Sequence, residues 1–306
     1  MLRFILRRLA QALLVLAVVF TITFFLIRLK PGDPFMAEKA MPESVRKQML
    51  SRYGMDRPVL EQYFVHAAAF ARGDLLPSMR YEGVQNSKII RDSFPVSLLI
   101  GLSALTIALG IGLPAGIIAA VRKNSWLDYS AMSFAMLGIC LPTFVMGPIL
   151  QWIFALKLGW LNVAGWFEWT DWILPSATMG LIYAAYIARL TRGGMLEVLN
   201  QDYIRTARAK GVPGRQIVIK HALRGGLLPV VAFLGPAIAG ITAGSFIIEK
   251  IFQLPGLGQH FVGSVFNSDY TLVQATTVFY AALLVLINLG TDILQAWLNP
   301  RVRLNS

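Results

Sequence analysis

Phe94 to Val121 reads F-P-V-S-L-L-I-G-L-S-A-L-T-I-A-L-G-I-G-L-P-A-G-I-I-A-A-V, without a single charged side chain. About 20 such residues in an α-helix cross the hydrocarbon of a bilayer, where every backbone amide has to find its partner within the same helix. The stretch therefore decides the solvent of the fold. The whole chain agrees with it: 56% of the 306 residues are hydrophobic and 14% charged, against roughly 25% charged in a soluble domain, and the mean hydropathy is +0.60. Yet 28 Lys and Arg outnumber 16 Asp and Glu, for a net charge of +12. A soluble nucleic-acid binder or a disordered tail would be richer in charge, so no nucleic-acid partner is expected. The single cysteine, Cys140, excludes an intramolecular disulfide and a cysteine metal cluster.

Outward from this run lie Leu9 to Ile27 on one side and Tyr129 to Leu156, Trp172 to Ala188, Gly225 to Ile248 and Thr271 to Leu298 on the other. The expected fold is an all-α polytopic membrane protein of six transmembrane helices. Ile251 to Ser268 is also uncharged, but Pro255, Gly256, Gly258 and Gly263 mark it as a loop or re-entrant segment. Arg3, Arg7 and Arg8 precede the first run as in a signal peptide. That run is longer than a signal core and leaves through Arg28, Leu29, Lys30, Pro31 without a small-residue cleavage site, so it reads as an uncleaved helix.

The Lys and Arg of the short connections place the chain in the membrane. Arg3, Arg7, Arg8, Arg122, Lys123, the group from Arg189 to Arg224, and Arg301 and Arg303 fall on one side if the spans alternate, which makes that side and both termini cytoplasmic. The expected organisation is then 1–30 as tail and first span, 31–93 as an external segment, and 94–306 as the core. Within the core the spans are 94–121, 129–156, 172–189, 225–248 and 271–298, with a cytoplasmic loop 190–224, an external loop 249–270 and a cytoplasmic tail 299–306.

Two segments outside the apolar runs carry information. The external one is far longer than an ordinary connection, and its Tyr53, Tyr63, Phe64, Phe70 and Tyr81 argue for a folded cap rather than disorder. On the cytoplasmic side Leu196, Leu199, Tyr203 and Ala207 recur at helical spacing with Glu197, Gln201, Arg205 and Arg208 on another face, which predicts an amphipathic helix ending at Gly211. Pro213 suits the first turn of a second short helix over Gly214 to Leu223. Physics alone leaves two readings even: a surface that docks a partner, or an interfacial helix held by anionic lipid.

The residues themselves separate these readings. D-Y-I-R-T-A-R-A-K-G at Asp202 to Gly211, followed by H-A-L-R-G-G-L-L-P at His221 to Pro229, resembles the cytoplasmic coupling loop of ABC importer permeases in its peptide-transporter version. L-R-R-L at Leu6 to Leu9, R-L-K-P-G-D-P at Arg28 to Pro34, G-D-L-L-P-S at Gly73 to Ser78, S-F-P-V-S at Ser93 to Ser97, I-E-K-I-F-Q-L-P-G-L-G-Q at Ile248 to Gln259, D-Y at Asp269 and Tyr270, and N-P-R at Asn299 to Arg301 extend the resemblance over essentially the whole chain. It is to the oligopeptide, dipeptide and nickel family of these permeases, most of all to the B-type subunit of oligopeptide permeases. The sequence departs from the general importer motif at Arg205, where an acid is usual outside the peptide branch, and from the family's D-P-R at Asn299.

The resemblance implies a type I ABC importer-like permease of a bacterial inner membrane with no catalytic residue, metal site or cofactor of its own. Its implied partners are a homologous second permease in a heterodimer, two cytoplasmic ATPase subunits that bind ATP and Mg, and an external binding protein that delivers peptide. Dipeptide, murein peptide, glutathione or a nickel chelate are alternative cargoes. The chain holds no G-x-x-x-x-G-K-[ST] phosphate loop. The implied ATPase-coupling interface is Asp202, Tyr203, Arg205, Thr206, Ala207, Arg208, Ala209, Lys210 and Gly211: small residues for close approach, glycine for the turn, basic residues to pair with acids on the ATPase. Small residues at every fourth position, Ala104, Ala108, Gly112, Gly116 and Gly235, Ala239, Ala243, form faces for close helix contact. Asp292 is the intramembrane charge, expected to pair near the cytoplasmic end rather than handle protons or substrate. His66, His221 and His260 are scattered over different segments, and Met132, Met136 and Met146 read as packing. An ion-coupled secondary transporter, the alternative of another class, would show charges near the midplane, and almost none are present.

Overall fold

The computed structural model describes residues 2–30 and 42–298. The expected tail 299–306 lies outside these residues, and the side chains of Ala243 and Asp292 outside those described. In chain order the helices are α1 (Leu2–Arg28), α2 (Glu43–Arg52), α3 (Val59–Ala71), α4 (Asn86–Val121), α5 (Trp126–Cys140), α6 (Thr143–Leu150), α7 (Ile173–Leu199), α8 (Asp202–Ala209), α9 (Gly214–Gln216), α10 (Leu223–Gly226), α11 (Leu228–Ile251), α12 (Leu257–Phe266) and α13 (Tyr270–Leu298). Wider π-helical turns continue α6 over Gln151–Lys157 and join α9 to α10 over Ile217–Ala222. No strand forms among the described residues.

Among the described residues five helices are long and apolar enough to cross a membrane, and the pair α5 and α6 with its π turn makes a sixth span bent by 109°. The apolar run Tyr129 to Leu156 is thus one stretch in sequence but two helices in space. The cause is local. Pro142 has no N–H to donate and disfavours the helical conformation at the residue before it, and Leu141 is accordingly extended at φ −85°, ψ 118°. Pro142 then opens α6, its carbonyl accepting from Val145 and Met146 at 3.0 Å each.

Two further segments refine the reading of the sequence. α7 continues ten residues past Arg189 to Leu199, because Arg189 is turned to the exposed side while Thr191, Gly194 and Met195 stay buried. Within the run Ile251 to Ser268, read as a loop or re-entrant segment, residues 257–266 form α12 between the breakers Pro255 and Asn267.

The chain divides into two units, Met1–Val96 with Pro255–Val285, and Ser97–Leu254 with Leu286–Ser306. In the first, Phe20 and Phe24 of α1 pack edge-on against Tyr63 of α3, at 5.8 and 5.3 Å between ring centres, and Phe70 meets Phe20 at 5.1 Å. The Arg28 guanidinium lies 3.5 Å above the centre of the Phe24 ring and donates to Gln62 Oε1 at 3.0 and 3.2 Å and to the Phe24 carbonyl at 3.0 Å. Gln62 in turn donates to the carbonyls of Met55 and Arg57, so α1 and the segment before α3 share one polar knot.

Asp269 organises the other end of this unit. Its buried carboxylate accepts from the Ser78 hydroxyl and from the backbone N–H groups of Met79 at 3.1 Å, Arg80 at 3.2 Å and Leu272 at 3.0 Å. A buried carboxylate is tolerable only with such a set of donors. The motifs Pro77-Ser78 and Asp269-Tyr270, remote in sequence, thereby become one joint that also uses the Thr271 hydroxyl on the Pro77 carbonyl at 2.7 Å.

His66 sits edge-on to Phe24 at 5.6 Å. Burial, with the Arg28 charge acting in the same sense, pushes its pKa down from 6.5 to about 4. Between these two values the unfolded chain takes up a proton that the folded segment refuses, so stability falls as pH falls through that window and is constant above it. Thermal unfolding followed from pH 7.5 to 4.5 should therefore show a loss of melting temperature that His66→Phe reduces; an unchanged pH slope in that variant would exclude His66 as its source.

Candidate functional site

The site is built on the contact between α4 and α7. A methyl group added to Gly112 would lie 2.7 Å from the Ala184 carbonyl oxygen, one on Gly116 2.5 Å from that of Ala188, and one on Gly180 of α7 2.9 Å from that of Ala104. These backbones touch, and only glycine fits between them. Ala104 and Ala108 of the same face are fully buried. Gly235 of α11 is set likewise against Thr291 of α13, whose Oγ1 is 2.8 Å from the place of a Cβ; Ala239, one turn on, is half-buried.

At the end of this helix pair sits α8. Its face made by Ile204, fully buried, and Ala207 packs on Ala120 of α4, Met195 of α7, and Ile217 and Ala222 of the following turn. The opposite face, with Asp202, Tyr203, Arg205, Thr206, Arg208, Ala209 and Lys210, is exposed. The single amphipathic helix read over Leu196 to Ala207 is in fact two: α7 ends at Leu199, Asn200 and Gln201 break the run, and Gln201 at ψ 152° turns the chain into α8. Helical periodicity carried across the break put Tyr203 with the buried residues, whereas it is half exposed. Ala207 is turned inward as part of the scaffold, not outward.

α8 closes with a left-handed residue, Gly211 at φ +78°. The Val212 N–H bonds the Ala207 carbonyl at 3.1 Å and the Gly211 N–H that of Arg208 at 3.0 Å, the paired bonds that satisfy the last carbonyls of a helix. Val212 follows into the same apolar cluster as Ala207. Pro213 starts the next run, accepting from Gln216 and Ile217, and the whole returns onto α7 where Gly194 meets the Gly226 carbonyl. The result is a rigid bracket with Arg205, Arg208, Lys210, Arg215, Lys220 and Arg224 on its exposed side.

A second lock joins Arg192, which counted only as a topology signal, to an aspartate that the sequence reading did not single out. Arg192 of α7 grips Asp128 of α5 with two bonds, Nε to Oδ1 at 2.5 Å and Nη2 to Oδ2 at 2.8 Å. The Asp128 side chain is 2% exposed, and it also takes the N–H of Asn124 at 2.9 Å. The short turn between α4 and α5 is thereby fixed to α7, three residues before Met195. Spacing could not reveal this pair, since the partners are 64 residues apart.

Elsewhere in this unit the Ser97 hydroxyl donates to Glu249 at 2.7 Å, both groups being buried; the sequence reading placed Glu249 in the external loop 249–270. An apolar cavity of about 410 Å³ lies between α4, α5 and α7, lined by Gly112, Ala115, Ala135, Gly138, Ala184 and Ala188 among others. It offers no charged side chain to anchor a polar ligand. Among the described residues no three His, Cys, Asp or Glu converge on a point.

Comparison with known proteins gives this geometry its context. Residues 112–304 match the family described as binding-protein-dependent transport system inner membrane component, and residues 1–80 match the N-terminal membrane component of such systems. The chain is 44% identical over 305 residues to the oligopeptide transport system permease protein OppB of Haemophilus influenzae, covering 99% of this chain and 100% of that one. To the dipeptide transport system permease protein DppB of Bacillus subtilis it is 40% identical over 305 residues, covering 100% and 99%. In fold it resembles the inward-facing MetNI methionine ABC transporter, with a TM-score of 0.60 at 18% identity over 69% of this chain and 96% of that one.

Two sets of variants check the scaffold. Arg192→Met leaves a buried carboxylate without its cation and should lower stability by about 3 kcal/mol, with Asp128→Asn costing less because Arg192 is partly exposed and can reach water; thermal unfolding in detergent measures both. Gly116→Leu should cost about 1–3 kcal/mol from overpacking, while Gly110→Ala, which meets nothing within 4 Å, leaves the melting temperature unchanged. Equal melting of the two glycine variants would show that α4 and α7 do not touch as described.

Proposed function

The chain belongs to the binding-protein-dependent transport system inner membrane component family, and on that premise we propose that it is the permease subunit through which an ATP-driven importer takes up oligopeptides handed over by an external binding protein. Identity of 44% along the full length of a named oligopeptide permease carries this reading. The relative named for dipeptides, at 40%, makes shorter peptides the second cargo to test. In this reading the chain is non-catalytic. It pairs with a homologous second permease in a heterodimer, and two cytoplasmic ATPase subunits bind ATP and Mg. It lies in a bacterial inner membrane, and the concentration of Lys and Arg on the side of α8 supports a cytoplasmic position for that side and for both termini.

The exposed face of α8, with Asp202, Tyr203, Arg205, Thr206, Arg208, Ala209 and Lys210, is the surface offered to an ATPase. Ala207 and Gly211 hold it in shape. Transmission follows from the packing: a displacement of α8 is pressed through Ile204 and Ala207 onto Met195 of α7 and Ala120 of α4. A packed apolar cluster transmits such a push because it has no free volume to absorb it. The Asp128 and Arg192 pair makes α5 follow α7. ATP-driven closure of the partner subunits is thereby converted into movement of three spans.

Gly211→Pro removes a bonded N–H and demands a φ that proline cannot adopt, and a double charge reversal, Arg208→Glu with Lys210→Glu, reverses the exposed face. Both should insert into membranes normally, yet lower peptide uptake and binding-protein-stimulated ATP hydrolysis in proteoliposomes by about tenfold or more, the scale of losing a charged interface anchor. Unimpaired uptake in both variants would overturn the coupling assignment; uptake of dipeptides alone by the unaltered protein would overturn the choice of cargo.

A further inference from the structure

Between the spans ending at Lys157 and beginning at Ile173 lies a connection rich in large aromatic residues, W-L-N-V-A-G-W-F-E-W over Trp160 to Trp169. It is not a loose loop. The Trp160 N–H bonds the Phe154 carbonyl at 3.0 Å. Asp171 gathers the N–H groups of Phe167 and Glu168 at 2.6 and 2.7 Å and the Asn162 amide at 2.9 Å. Burial by itself would raise the pKa of this carboxyl, but these donors hold it below the ordinary value. Although the fold of the connection is fixed, its apolar side chains are not covered: Phe167 is 86%, Trp169 80% and Trp160 69% exposed.

Two bonds set the level at which it lies. Gln151, six residues before the end of its spanning segment, donates its side-chain amide to the Val163 carbonyl at 2.8 Å. The Gly165 N–H donates to the carbonyl of Phe252, the residue following α11, at 2.8 Å. The middle of the connection is therefore folded back against the ends of two spanning segments, not raised into the aqueous phase. Lys157 lies here with its ammonium 4.0 Å from the centre of the Trp152 ring, a cation at the end of an apolar segment as at a headgroup layer.

We propose that the connection from Trp160 to Trp169 is a lipid-interface anchor: Trp160, Phe167 and Trp169 insert among the headgroups and upper acyl chains of the leaflet opposite α8. Indole suits this layer because an apolar ring and a single N–H donor match its two sides. Trp152, Leu156 and Leu158, at the end of the spanning segment that leads into the connection, are exposed as well, and lipid is the occupant that meets apolar side chains at that level. The anchor holds the end of the bent span, so that α6 and its π turn keep their place while the cytoplasmic ends of α5 and α7 move. This last point rests on the proposed transport cycle; the anchor itself does not.

The test uses the assembled transporter in proteoliposomes. In a Cys140→Ser background, nitroxide is attached at Phe167→Cys and Trp169→Cys, with Glu82→Cys as an aqueous reference, and collision with oxygen is compared with collision with a water-soluble nickel chelate. The ratio of oxygen to chelate should rise severalfold over the reference at both sites, as for groups held in the interface where Trp gathers. A ratio equal to that at Glu82→Cys would show a connection standing in water, and immobilised label reached by neither quencher would show a protein partner covering it; either result overturns the anchor. Absence of peptide uptake by the unaltered transporter, together with a raised ratio at both sites, would sink the transport reading and leave the anchor standing.

Discussion

Close backbone contact between α4 and α7 is the constraint on which the second unit depends. In a bilayer the exclusion of water supplies no force between helices, so association rests on van der Waals contact and on polar bonds at close range. Gly112, Gly116 and Gly180 allow that range. Everything at the end of this pair inherits its position from them: Ala120 and Met195 form the floor on which α8 sits, and Arg192 stands where it can hold Asp128 of α5. A loss of contact between two spans would therefore displace the basic bracket without touching it.

The bracket itself combines two physical demands. Its buried face must be small and apolar to seat against α7, which Ile204, Ala207 and the glycines at 194 and 226 provide. Its exposed face must stay polar and fixed, and the closure at Gly211 fixes it by leaving few helix carbonyls unpaired. A surface that transmits force to another protein needs such rigidity, because any slack in the helix end would absorb the displacement. The buried carboxylates contribute in the same way at other points. Asp128, Asp269 and Glu249 each hold donors from a segment remote in sequence, and each turns a charge that would be costly in an apolar setting into a joint.

The bent span shows how strongly local chemistry acts within an apolar run. Hydropathy treats Tyr129 to Leu156 as uniform, but Pro142 is a point where the i to i−4 bond cannot form, and the chain turns there. The same local logic placed Gly211 and Pro213 correctly around a turn. It failed at Asn200 and Gln201, where no proline or glycine announces the break and the periodicity of Leu196, Leu199, Tyr203 and Ala207 runs on by coincidence through two helices of different direction.

Apolar length, the spacing of small residues, the glycine turn and the crowding of basic charge on one side were all legible in the order of residues. They depend on properties that each residue carries by itself or shares with neighbours three and four positions away. The orientation of Ala207 toward the core, the pairing of Arg192 with Asp128, the burial of Glu249 and the joint between Ser78 and Asp269 were not legible. In each of these the partners lie on separate helices or across a break, and their meeting follows only from how far those helices can approach. That distance is decided by packing in three dimensions, where Gly116 matters because the Ala188 carbonyl faces it.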